Sequence, residues 1–523
     1  MRQSLISFAL APLALLLAHQ SVLAQQSAPV GSFTAGPIAL VIDSARTWQV
    51  SLNGVLAVEG EYAIRGDTLV LNDRGGPRAC APTDTGIYTW TRAERTLTLA
   101  MVADPCQGRA GALAREWSQA PSGLQALSGL HVIDGTGAAA RAGMTIVIQD
   151  GRIADVYPDG TRPLPAGAER VDLTGRWAIP GLIDVHVHVA TDPSGTDARA
   201  AVLSRLLRAL HGGVTTIRDM GGDARMLAGL ARDAELGEIE SPAILYSAIF
   251  AGPAFFRDRR VLDSSRGAVA GQAAWARAIR PDTDLRVAIA EAKGAGARAV
   301  KLYADLPAEL IGPIVAEAHR QGMLVWSHAA LFPARPSGIV AAGVDVVSHA
   351  PLLAWEAADR LPDYGQRANA DFAGTAPAAV DPVLREMAAR GTILDPTLFV
   401  YSLTDRQEQA AWAAAVTSRA RELGVRIATG TDGLIGSEQG KLPNVHRELE
   451  LLVERAGLTP LQAIAAATSI AAAAVGVQDD RGTIAPGMTA DLVILESDPV
   501  ADIRNTRSIR WVMRNGRRYP PDS

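Results

Sequence analysis

The sequence predicts an α/β protein built on a (β/α)8 TIM barrel, with a small β-sandwich domain at its flank and an extra all-β module before it. Three observations carry that prediction. Short apolar runs alternate with Ala-rich helical stretches through the middle of the chain. Strand-like runs of matching character stand on either side of that region. A separate series of closely spaced strands comes first. At 523 residues the chain exceeds one ordinary domain.

Residues 1–24 read as a signal peptide. Arg2 supplies the positive start, residues 6–18 the apolar run, and Val22-Leu23-Ala24 a small-residue cleavage site before Gln25. The run is too short to span a bilayer as a mature helix. The expectation is export, to the periplasm or the medium, without stable membrane insertion. An oxidising compartment then favours a disulfide between Cys80 and Cys106, the two cysteines of the chain. Closing that loop contributes ~3–4 kcal/mol in the chain-entropy account.

Residues 25–122 form the N-terminal β-rich module. Strand candidates stand at 38–42, 48–52, 61–64, 68–71, 86–90 and 96–101, punctuated by Gly, Asp, Asn and Pro. That spacing predicts a small barrel or sandwich. The alternation around Tyr62 and Tyr88-Thr89-Trp90 loosely resembles a lipocalin-like module, from which no ligand follows. Residues 107–122 read as a connector.

Residues 127–180 and 482–523 form the composite β domain. Its first arm holds runs at 129–137 and 145–149, a turn at Asp150-Gly151 and a returning strand at 151–156. The second arm holds 487–495 and 509–517. Between the arms, residues 181–481 make the barrel. Strands are expected at 181–188, 214–219, 243–248, 297–303, 323–328, 344–349, 392–398 and 426–432, with helical stretches such as 198–210, 285–295, 308–321 and 383–390 between them. Eight such βα units close a barrel whose reactive groups sit at the C-terminal strand ends.

Those strand ends carry the chemistry. His186 and His188 lie two apart on strand one, so both face inward. Lys301, His328, His349 and Asp432 end four further strands. Together they make a six-ligand set for two divalent metal ions, zinc by preference, with manganese or cobalt also suited to the mixed N/O donors. Lys301 is one of only three lysines in a chain that otherwise uses arginine. A desolvated lysine can lose its proton, and the neutral amine can take up carbon dioxide. The expectation is therefore a carboxylated Lys301, whose carbamate bridges both metals.

Other candidates follow from position. Tyr303 shares the inward face with Lys301 and is placed to stabilise an oxyanion or hold a substrate carboxylate. Arg218, ending strand two, suits bidentate carboxylate binding. His446, soon after strand eight, is left open between the site mouth and a structural role. His319 and His211 lie at helix ends, where structure explains them.

These phrases resemble the amidohydrolase superfamily, in particular secreted relatives of its imidazolonepropionase-like and Xaa-Pro dipeptidase branch. The likeness spans about 127–517 and rests on 179–188, 213–222, Lys301, His328, His349, 429–433 and 449–495. It implies that His186, His188 and Asp432 hold one metal, that His328 and His349 hold the other, and that carboxylated Lys301 bridges them. One departure stands out. Related dipeptidases often carry a Gly-Gly-His-type phrase after the third strand, and residues 250–260 contain no histidine. In the family that loop helps to shape the substrate pocket.

The expected function is hydrolysis of amide bonds in dipeptide-like or N-acyl amino acid substrates. A metal-bridging hydroxide attacks the carbonyl, and Asp432 carries the proton to the leaving nitrogen. Ester, lactone or phosphotriester hydrolysis is the alternative on the same scaffold. An exported binding protein with an inactive barrel is the alternative of another class; its mark would be a missing ligand, and none is missing. A net charge of −5 gives no basic footprint for nucleic acid.

Overall fold

The computed structural model describes residues 29–521 except 36–37, 44–45, 53–54, 66, 94–95, 120–122, 166–167, 192–198 and 434–441. The expected signal peptide, 1–24, lies outside the described residues. The chain divides into two compact units, Met1–Ala120 and Pro121–Ser523.

The first unit is a closed antiparallel barrel of eight strands in sequence order. These are β1 (Gly31–Ala35), β2 (Ile38–Ile42), β3 (Thr47–Leu52), β4 (Val55–Arg65), β5 (Thr68–Gly75), β6 (Gly86–Ala93), β7 (Thr96–Ala103) and β8 (Glu116–Gln119). Period-two burial, clear in Tyr88 and Trp90, turns one face of each strand inward. Phe33, Leu40, Trp48, Tyr88, Leu97 and Trp117 fill the interior. Residues 107–122, read as a connector, instead supply helix α1 (Gln107–Leu113) and β8. Trp117 explains the difference: it is fully buried, and β8 pairs with both β7 and β1 to remove the sheet edges.

The Cys80–Cys106 disulfide is present. Beside it, fully buried Arg109 bonds to Asp73 and, at 2.8 Å, to Asp104. Three buried charges are tolerable here because they satisfy one another.

In the second unit, the first arm contributes β9 (Leu124–Val132), β10 (Arg141–Gln149), β11 (Arg152–Pro158), β12 (Glu169–Asp172) and β13 (Trp177–Pro180). The barrel strands follow: β14 (Leu182–Val187), β15 (Val214–Asp219), β16 (Ala243–Ala251), β19 (Ala299–Leu302), β20 (Leu324–His328), β21 (Val346–Ser348) and β22 (Ile393–Asp395). A two-strand excursion, β17 (Gln272–Ala273) and β18 (Ala276–Ala278), comes after β16. The return arm adds β23 (Leu492–Leu495), β24 (Ile509–Arg514) and β25 (Arg517–Tyr519).

Both arms meet as expected, but in one continuous mixed sheet rather than a sandwich. The reason is β9. This nine-residue strand pairs with β10 on one side and with β12 and then β13 on the other, while β13 pairs with β23.

The seven strands from β14 to β22 run parallel in sequence order. The strand expected at 426–432 is reduced to single bridges, Leu394 with Ile427 and Val187 with Gly433. Its backbone still joins both edges: Ala428 N–H donates to Leu394 O at 2.9 Å, and Val185 N–H to Thr429 O at 3.0 Å. The sheet is thereby barrel-like, with helices such as Arg199–His211 and Ala308–Arg320 around it. Strands buried along their whole length, as β14 and β15 are, fit a parallel sheet covered on both faces. The seventh strand stops at Asp395, short of the expected 398. Pro396 has no N–H to offer a neighbour, and Thr397 turns left-handed at φ 54°.

Candidate functional site

The ends of the parallel strands bring the predicted residues together. His188 Nε2 lies 3.1 Å from Asp432 Oδ1 and His186 Nε2 lies 3.4 Å from the same oxygen. Donor atoms of these three residues all fall within 4.8 Å of one another. On the other side, His349 Nδ1 stands 3.7 Å from Asp432 Oδ2, and its ring stacks on His328 with centroids 4.7 Å apart.

Hydrogen bonds behind the rings set which nitrogens face inward. His186 Nδ1 is 2.7 Å from Asp395 Oδ2, and His328 Nδ1 is 2.7 Å from the Tyr303 carbonyl. Each contact leaves Nε2 available in its acceptor form, the arrangement that supports metal-ligating histidines. Burial lowers the pKa of His186, His328 and His349, which favours the neutral imidazole whose lone pair a metal can take. Burial raises Asp432, but His186, His349 and His188 outweigh it and hold the carboxyl below its usual range. These donors fit a divalent cation.

Lys301 is fully buried, its amine 5.8 Å from the centroid of the Tyr303 ring. Its amine donates to Ser348 Oγ at 3.1 Å, and Ser348 donates to Asp395 Oδ2 at 3.0 Å. Burial, with Arg218 nearby, pushes its pKa down to about 7. A neutral, sparsely bonded amine beside a metal-type donor set is the form that can take up carbon dioxide.

One expectation needs correction. Arg218 does not face substrate. It is fully buried, donates to the Val185 carbonyl, contacts Asp395 at 3.3 Å and lies over the Trp326 ring at 4.3 Å. One residue before the end of β15, it points into the layered interior, where Asp395 balances its charge. The structural role left open for His446 is the one observed: it is buried between Thr506 Oγ1 at 3.0 Å and the Gly212 carbonyl at 2.9 Å. At Gly430 a Cβ would sit 2.2 Å from Asp395 Oδ1 and 2.7 Å from His186 Cβ, so the missing side chain leaves room for the contact between those two residues.

Tyr303 does reach the cavity, though its hydroxyl donates to the Met220 carbonyl at 2.5 Å. Any oxyanion contact has to draw on that bond. The cavity measures about 580 Å³, and His188, His328, His349 and Asp432 form part of its wall. Phe255 and Arg260, from the loop without histidine, line it as well.

Asp395, Tyr364, Arg367 and Tyr401 escaped the sequence reading. Asp395 had a signal, a lone acid closing the apolar run Ile393-Leu394. The other three lie in one-turn helices and irregular chain, where no period marks an inward face. Glu448 also escaped: its buried carboxylate accepts the backbone N–H groups of Leu398, at 3.0 Å, and Phe399, which fixes the turn after β22.

Residues 177–518 match the amidohydrolase family. The chain is 26% identical over 393 residues to an ochratoxinase of Aspergillus niger, covering 65% of this chain and 75% of that one. It is 26% identical over 406 residues to an imidazolonepropionase of Acidiphilium cryptum, covering 73% and 91%. A crystal structure of a Xaa-Pro dipeptidase with bound methionine in its active site superposes with a TM-score of 0.59 at 20% identity, covering 76% of this chain and 100% of that one. This last likeness speaks to the fold.

Proposed function

The chain belongs to the amidohydrolase family, in its imidazolonepropionase- and prolidase-like branch, and from that premise we propose that it hydrolyses amide bonds of dipeptide-like or N-acyl amino acid substrates. The observation that carries this reading is the cluster of His186, His188 and Asp432, faced by His349 and a buried Lys301. His186, His188 and Asp432 would hold one divalent metal and His328 and His349 a second, with Lys301 as a carbamate between them. Bound there, zinc, manganese or cobalt supplies Lewis acidity toward the carbonyl and lowers the pKa of the attacking water.

The protein's own groups do the rest. Asp432 is ionised, so it can accept the proton of the attacking water and deliver it to the leaving nitrogen. The Tyr303 phenol is kept protonated by burial and can donate to the developing oxyanion. Buried rings keep bulk water from one side of the site: Phe255 stacks on Tyr303 at 4.9 Å between centroids.

Export is part of the proposal. It draws on Arg2, the apolar run at 6–18 and the Cys80–Cys106 disulfide. No helix among the described residues is long and apolar enough to cross a membrane.

The test is a panel of dipeptides, N-acyl amino acids, lactones and phosphotriesters, assayed with metal-reconstituted protein. The reading expects turnover of amides above esters and phosphotriesters. Activity confined to lactones or phosphotriesters overturns it.

A further inference from the structure

The cavity holds an uneven set of charges that the hydrolytic centre does not use. Arg260, Arg367 and Arg406 line it, and among the described residues of its wall the one acid is Asp432. Asp432 belongs to the metal-type cluster, so it cannot balance the arginines. Arg406 is occupied by the Ala368 carbonyl and by Asn369 Oδ1, the latter at 3.3 Å. Arg260 is ion-paired with Asp258 through one edge of its guanidinium, and Arg367 shows no ion pair among the described residues, so these two keep donors for a further partner.

Both guanidinium groups are held from behind. Arg260 Nε and Nη2 donate to the two oxygens of Asp258, at 3.1 and 2.9 Å. Asp258 is itself fixed as the N-cap of the short helix Arg259–Ser264. Those contacts use one edge of the guanidinium and leave Nη1 for another partner. Arg367 lies over the Tyr364 ring at 4.1 Å and donates through Nη1 to the Tyr364 carbonyl at 3.2 Å. Its backbone carbonyl accepts the Trp355 indole N–H at 2.8 Å. Arg367 is half-buried, and Arg260, exposed as it is, is tethered by Asp258, which limits the rotamer entropy lost on binding.

The two groups converge from separate loops. Both line the same cavity, as does Tyr364. Tyr364 packs 5.9 Å from His328 between ring centroids and 5.7 Å from Phe255. The cationic corner therefore adjoins the His328 side of the hydrolytic centre. Phe255, Leu352 and Val400 give the neighbouring wall an apolar character.

We propose that Arg260 and Arg367 form a two-arginine subsite that binds the carboxylate of an amide substrate carrying an apolar or aromatic side chain. The inference rests on the amide-hydrolase reading above and names the part of the substrate that the loops recognise. Planar guanidinium groups match a carboxylate in shape as well as charge. With Arg218 buried elsewhere, this pair takes the role that strand two was expected to fill.

The experiment uses the full, zinc-reconstituted protein and a matched pair of probes, N-acetyl-L-phenylalanine and N-acetyl-L-phenylalaninamide. Binding is read by calorimetry, turnover by release of acetate. The wild type should bind the acid more tightly than the amide. Arg260→Gln and Arg367→Gln should each weaken the acid roughly ten- to a hundredfold, the range of a charge-assisted hydrogen bond, and leave the amide unchanged. Arg367→Lys should recover part of the loss. Equal binding of acid and amide by the wild type overturns the subsite. So does an equal loss for both probes in variants that keep the wild-type melting temperature. The two readings fail separately. Preferential binding of the acid without cleavage of any amide in the wider panel keeps the subsite and removes the hydrolase reading. Cleavage of amides with no acid preference does the reverse.

Discussion

His186 Nδ1 and Asp395 Oδ2 stand 2.7 Å apart with both side chains fully buried. This contact ties the histidine of strand one to the acid of strand seven across the barrel interior. Burial raises the Asp395 carboxyl, but His186 and Arg218 beside it prevail and hold it below its ordinary range. Asp395 also accepts from Ser348, which in turn accepts from Lys301. One carboxylate thus positions a ring, an amine through a serine, and an arginine.

Asp395→Asn should therefore have two separable effects. The amide cannot take His186 Nδ1–H as a charged acceptor, and metal affinity should fall ~10–100-fold. Arg218 would be left without its carboxylate in a buried site, at a cost of ~3–5 kcal/mol. Metal titration of the stripped protein reads the first effect, and urea unfolding of the same protein reads the second. Unchanged affinity would remove Asp395 from the support of the centre.

Lys301 predicts a pH dependence with a definite sign. Its folded pKa is pushed down to about 7, while the unfolded chain holds its lysines near ~10.4. Below about 7 both states carry the proton and the full burial penalty stands. Between ~7 and ~10 the unfolded state binds more protons, so the stability of metal-stripped protein should rise with pH. Lys301→Met should be flatter over that window. Urea midpoints at pH 7 and pH 9 decide it, and equal slopes for wild type and variant would count against a depressed lysine.

The metal-type cluster was legible because each of its residues ends an apolar run, and parallel strands aim their C-terminal ends at one place. Asp395 sits in the same kind of position, but a single acid before Pro396 reads equally well as a turn. Arg218 went astray because strand-end placement was taken as access; direction within the barrel depends on neighbours such as Trp326, which sequence order does not reveal. Tyr364 and Arg367 come from chain without a period, so only packing against Phe255, His328 and Trp355 assembles them. In the first unit, β8 escaped because four residues around Trp117 are too short to show alternation.

The disulfide should act on the first unit alone. Cys80 and Cys106 both lie within Met1–Ala120, and the metal-type residues lie within Pro121–Ser523. The double variant Cys80→Ser, Cys106→Ser should lose ~3–4 kcal/mol from that unit. Calorimetry should show one transition moving down while metal content stays constant. A fall in bound metal would show that the bond matters beyond its own unit.

Asp432 gives the sharpest separation of roles. Its carboxylate lies 3.1–3.7 Å from His186, His188 and His349 and lines the cavity, so it is placed both as a donor to the cluster and as a proton acceptor there. Asn keeps the size and one oxygen of the side chain and removes its basicity. His186 and His188 still supply two nitrogens, so Asp432→Asn should retain much of its metal. Turnover should fall about 10²–10⁴-fold, the usual contribution of a positioned acid–base group. The loss should show in kcat, since proton transfer is a property of the reacting complex and substrate binding is not. Metal analysis and steady-state kinetics on a slow amide, run on one preparation, make the comparison. If kcat falls only in proportion to lost metal, Asp432 is a ligand and another group carries the proton.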